Sequence, residues 1–238
     1  LKGNTSFTRI AAITAIISAP LALGASAILA QAIEFNFELA ANPARLITLG
    51  TRVAGIFRRV EFIGMFGYYL LLIPAGLHLW YWLKPEDPRL VTLCSVSGLG
   101  YTFIGAIGSA VLVGVAPPMM SAYPQALPAQ REVLEAVFQV VADLGIVALF
   151  SLSYILGGVW WLGIGLILRG RRLILGIATA VQGIATLGYG VGVMLRIEPL
   201  AMLEPLTFFA PVWALWLGVV IWRSAGNSEQ LPEGSVIT

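Results

Sequence analysis

Glu132, Glu135, Gln139 and Asp143 are spaced three, four and four residues apart, which puts four acceptor-bearing side chains on one helical face. Arg45, Arg52 and Arg59 recur every seven residues in a second segment, whose apolar residues Leu46, Leu49, Val53, Ile56 and Val60 also keep helical period. An acidic stripe and a basic stripe therefore lead into apolar stretches from the same side. Two readings follow. In the structural one, the arginines pair with carboxylates or lie among lipid headgroups and fix how helices dock. In the functional one, Arg58, Arg59, Glu61, Gln139 and Asp143 line a polar vestibule that admits a solute or a lipid headgroup. Arg59, Glu61 and Asp143 lie deepest. An ionised side chain at the middle of a bilayer costs roughly 2.5 to 3.5 kcal/mol, and less near the interface, so such groups need a partner or water.

The other chemistry on offer is sparse. His78 is the one histidine in 238 residues, and it lies about 28 Å along its helix from Arg59 at 1.5 Å per residue, too far to join the stripes. It reads first as an interfacial or hydrogen-bonded residue; the alternative is an axial ligand to a porphyrin or chlorophyll. A single histidine rules out bis-histidine haem ligation within the chain, and no histidine or cysteine cluster suits zinc. The sequence has no Gly-x-Ser-x-Gly elbow, no phosphate loop and no His-Glu-x-x-His. Its two lysines, Lys2 and Lys84, both stand at span boundaries, so a retinal-type Schiff base has no lysine inside a helix. No catalytic residue, metal or cofactor is therefore expected.

The elements that must position these groups are apolar. Hydrophobic residues make up 58% of the chain and charged residues 11%, and a hydrocarbon core about 30 Å thick takes about 20 helical residues to cross. Spans are predicted near Thr8 to Gln31, Glu61 to Leu83, Leu90 to Val115, Leu144 to Leu168, Leu173 to Leu195 and Met202 to Trp222. The expected fold is an all-α, polytopic bundle of six membrane-spanning helices over residues 1–223, with a polar cytoplasmic tail over 224–238. The first span, with Lys2 and Arg9 at its start and no clear small-residue cleavage pattern after it, reads as a retained anchor.

Two short basic turns, Lys84-Pro85-Glu86-Asp87-Pro88-Arg89 and Arg169-Gly170-Arg171-Arg172, fall on one side and favour the inside, which makes both termini cytoplasmic. Each turn forces an antiparallel hairpin, and the likeness of the two hairpins hints at a duplicated unit. Between them Ala116 to Gln130, with Pro117, Pro118, Pro124 and Pro128, is expected to form an exterior loop that is not helical throughout. Gly98, Gly105, Gly108 and Ser109 in the third span, and Gly176, Ala180, Gly183, Gly188 and Gly192 in the fifth, make those two helices the candidates for the bundle centre. Trp80, Tyr81, Trp82 and Trp222 fit an interfacial belt. Cys94 excludes an internal disulfide, and dispersed basic residues without interleaved aromatics argue against nucleic acid.

Arg58 to Leu93, with its Leu83-Lys84-Pro85 turn, and Asp143 to Tyr189, with Leu175-Gly176 and Leu187-Gly188-Tyr189, together resemble a bacterial six-helix membrane family known as domain of unknown function 4386. The chain departs from the family at Gly170-Arg171-Arg172, where a proline is common. The resemblance implies a six-helix bundle in a prokaryotic cytoplasmic membrane and brings no activity and no catalytic residues with it. Three roles are open. The leading one is a non-catalytic accessory or scaffolding subunit that packs against other membrane proteins or lipids of the bilayer. The second is a small carrier or receptor using the polar vestibule, and the third is pigment or haem binding through His78.

Overall fold

In the computed structural model, which describes residues 5–36 and 43–229, every regular element is helical among the described residues. Helix α1 (Thr5–Ala32) is followed by the short α2 (Pro43–Thr48) and by α3 (Gly50–Leu83). Gly50, at a φ of 58°, supplies the left-handed turn between α2 and α3, a conformation a side chain would strain. Asp87 caps α4 (Pro88–Ala122): its side chain accepts from the backbone N–H of Arg89 and Leu90 at 3.2 and 3.0 Å, and Pro88 occupies the first turn, where its missing donor costs nothing. A 3₁₀ turn (Tyr123–Gln125) extends α4, and only Ala126 and Leu127 separate it from α5 (Pro128–Leu168).

The chain continues through α6 (Leu173–Leu195), two short pieces, α7 (Glu198–Ala201) and α8 (Glu204–Thr207), and α9 (Phe209–Glu229). Five helices are long and apolar enough to cross a membrane, and the pair Glu198–Thr207 and Phe209–Ala225, bent by 40°, makes a sixth if it counts as one span.

Three expectations need correcting. The exterior segment is not helical throughout, as expected, since it breaks at Ala126 and Leu127, but it is less of a loop than expected, because α4 runs through Pro117 and Pro118 and resumes regular bonding beyond them, the Tyr123 N–H reaching the Met119 carbonyl. The sixth span is broken at Phe208, where Pro199 and Pro205 start separate short turns and Pro211 follows in the first turn of α9. The third and fifth spans are not joint centre, since the inner half of α5 packs against both α4 and α6. The expected polar tail starts inside α9, which stays helical to Glu229; residues 230–238 lie outside the described residues.

The small residues are used in two ways. On α5 and α6 they let backbones touch: a Cβ on Gly183 would stand 2.3 Å from the Leu162 nitrogen, and one on Gly165 2.4 Å from the Ala180 nitrogen. On α4 they make room for rings instead, Gly98 facing Trp160 and Gly105 facing Tyr69.

These contacts build a main core around Trp160, Trp161 and Trp213, whose ring centroids lie 5.5 to 5.7 Å apart, with Leu79, Leu83, Ile164 and Leu168 beneath them. The two tight turns lie side by side at this end. Arg171 Nε donates to Glu86 Oε1 at 2.8 Å, and its guanidinium sits over the Trp82 ring. We call this the turn end.

Helices α3 and α5 exceed the length a bilayer needs, at 34 and 41 residues. Their amphipathic first stretches, Gly50–Ile63 and Pro128–Ala142, join α2 and the end of α4 in a second core of Leu46, Ile47, Val53, Phe57, Leu112, Met120 and Phe138. This is the cap end.

Candidate ligand cleft

Between the two cores the helices part. Helix α3 widens into a π turn over Gly64–Tyr69, the Leu70 N–H bonding to the Met65 carbonyl, and then tightens into a 3₁₀ turn over Leu70–Leu72. Pro74 explains this, because it cannot donate to the Leu70 carbonyl and the ladder re-registers ahead of it. Helix α5 carries a second π turn over Asp143–Phe150, with no proline inside it. On the facing side α1 offers only Ala22, Ala25, Ser26 and Leu29, and α8 breaks away from α9.

The result is a cleft of two lobes, about 250 and 180 Å³, that share Leu29, Glu61, Phe150, Tyr154, Tyr189 and Glu204. Five tyrosines line the larger lobe: Tyr68, Tyr69, Tyr101, Tyr154 and Tyr189. They are held in place by one another and by the helices behind. The Tyr101 hydroxyl donates to that of Tyr68 at 3.0 Å, the Tyr154 and Tyr189 rings lie 5.2 Å apart, and Ser153 Oγ donates to the Tyr101 carbonyl at 2.8 Å. Thr186 on the wall accepts from Gln182 at 2.9 Å, and Trp161 lies in the lining toward the main core.

Charge in the cleft is one-sided. Glu61 lies half-buried within hydrogen-bonding reach of the Ser109 hydroxyl, and Glu204 is exposed on the broken helix; among the described residues, no lysine, arginine or histidine lines either lobe. Two residues of the lining, Trp161 in the larger lobe and Ser151 in the smaller, each carry a buried polar atom, the indole N–H and Oγ, that has no hydrogen-bond partner among the described residues. Buried polar groups are rarely left so, because each unmade bond costs about 1 to 3 kcal/mol.

Of the five residues expected to form a polar vestibule, Glu61 lines the cleft and the others do not. Gln139 donates to Asp143 at 3.0 Å along their own helix, and Arg58 and Arg59 are exposed on α3. Elsewhere in the stripes, Arg52 pairs with Glu34 at 2.7 Å and Glu135 accepts from the Tyr123 hydroxyl. His78 stacks on Trp82 toward the turn end, with ring centroids 6.2 Å apart, and lines neither lobe.

The tyrosines are what sequence reasoning missed. One signal for them exists: the shift along the chain that takes Tyr69 to Tyr154 also takes Gly98 to Gly183, Gly105 to Gly190 and Leu83 to Leu168. In space the match is partial: Gly105 makes room for the Tyr69 ring, whereas Gly190 lies against the backbone of Ser151 and Ile155 and the Cβ of Tyr154. Tyr69 and Tyr154, one from each hairpin, both line the larger lobe. No family model matches the chain, and no curated protein or solved structure matches it either.

Proposed function

We propose that this chain is a non-catalytic membrane receptor or carrier for a small polar solute, bound in the cleft and entering from the cap end. The observation that carries the reading is a lobe of about 250 Å³ lined by Glu61 and five tyrosines, between helices apolar enough for a bilayer. A concave, largely aromatic site with a few convergent polar groups is what small-molecule binding requires. We place the protein in a prokaryotic cytoplasmic membrane with the turn end inside, a reading supported by the basic turns and by the resemblance to the six-helix family.

One observation favours the accessory-subunit reading as a second. Val133, Val137 and Val140 form an exposed apolar strip on the cap-end stretch of α5, where a membrane partner or lipid would cover them. Pigment binding through His78 draws no support from a residue stacked on Trp82 outside the cleft.

The test is a panel of small polar solutes added to the protein in lipid nanodiscs, read as a rise in the unfolding midpoint. Thr207→Trp, at the half-buried rim of the larger lobe, is expected to abolish any rise without altering the unliganded midpoint. Stabilisation that survives Thr207→Trp, or a panel without effect, contradicts the reading.

A further inference from the structure

We infer that the occupant of the cleft is a small organic monocation of the alkylammonium class. This rests on reading the cleft as a ligand site and goes on to its selectivity. Glu61 is the one carboxyl set back inside the lining, while Glu204 is exposed and can be compensated by water. With no basic side chain among the described residues lining either lobe, a cationic ligand would supply the counter-charge that an ionised Glu61 lacks.

The walls select the kind of cation. Tyr68, Tyr69, Tyr101, Tyr154 and Tyr189 make the lining strongly aromatic, and aromatic rings attract alkylammonium groups while offering an inorganic ion little coordination. Among the described residues, no group of three or more histidine, cysteine, aspartate or glutamate side chains could hold a metal ion. Glu204 at the rim and Glu61 within then form an entry and a resting carboxyl for the same charge.

Three probes of one shape test this on the whole chain in nanodiscs: choline, its neutral isostere with a tert-butyl group in place of trimethylammonium, and the tert-butylacetate anion. Binding is read by tryptophan fluorescence and by the unfolding midpoint. Choline is expected to bind at least about ten-fold more tightly than the neutral isostere, and the anion not at all. Glu61→Gln should erase that preference while leaving the neutral probe unchanged, and Glu204→Gln should weaken choline only about two- to three-fold.

Equal binding of choline and the isostere overturns the cation inference and leaves the cleft reading intact. Silence from all three probes also overturns it, and the solute panel with Thr207→Trp then judges the cleft separately. Should Glu61→Gln fail to fold, the comparison of the three probes on the parent protein decides the matter alone.

Discussion

The turn end and the cap end of this bundle are built from the same kinds of residue and differ in what fills the space between helices. At the turn end, glycines bring α5 and α6 into backbone contact, and Trp160, Trp161 and Trp213 close the remaining volume. Toward the cap end two π turns, small residues on α1 and a broken last helix hold the helices apart around Glu61 and the tyrosines. Dense packing makes a scaffold; irregular helices above it make a site. π turns and helix breaks weaken a helix, and they persist where a cavity lining has use for them.

Substitutions can break or sharpen this contrast. Trp213→Ala should have the largest effect, about 3 to 5 kcal/mol of stability, because it removes a fully buried ring and the 2.7 Å bond from its indole N–H to Thr179. Chemical denaturation in mild detergent measures it. A loss below about 1 kcal/mol would mean that the turn end is not the stabilising half.

Gly183→Val should cost about 1 to 3 kcal/mol or more, since its new carbons meet the Leu162 backbone rather than a yielding side chain. The same denaturation experiment reads it, and tolerance would dissolve the distinction between backbone contact and ring accommodation. At the other end, Glu61→Gln should not lower stability at all, because it removes an ionisable group from the interior without changing its shape. A marked fall in the unfolding midpoint would make Glu61 a structural residue. Arg52→Ala, which breaks an exposed pair with Glu34, should change stability by less than about 0.5 kcal/mol. A larger fall in the same assay would give the cap stripes a structural weight that their exposure argues against.

The apolar helices were legible in the sequence because burial in oil requires long uninterrupted hydrophobic runs. Leu173–Leu195 coincides with the predicted fifth span, and both basic turns fall where the charges put them. The helical pieces between predicted spans were less legible. Pro117 and Pro118 read as loop, yet a helix outside the oily stretch can lose two donors and continue, so α4 runs on to Ala122.

The candidate site was legible only at Glu61. Charged residues draw attention as candidates for chemistry, but Arg58 and Arg59 are exposed, and Gln139 and Asp143 pair locally along α5. Tyrosine counts as apolar in a hydropathy reading, so five hydroxyls on the cleft wall left no trace in the pattern that located the helices. The π turns, the first of which carries Tyr68 and Tyr69, depend on tertiary packing, and α5 shows it plainly: no proline lies inside its π turn.

Two serines on α4 test the central claim most directly, for both are buried and differ chiefly in which half they occupy: Ser109 lines the cleft and Ser95 lies toward the turn end. Each is replaced by cysteine in a Cys94→Ala background in membranes, and a positively charged, water-soluble thiosulfonate reagent is added. Ser109→Cys is expected to react rapidly and Ser95→Cys to stay unmodified. Equal protection of both, or equal reaction of both, would contradict a water-accessible cleft standing on a sealed core.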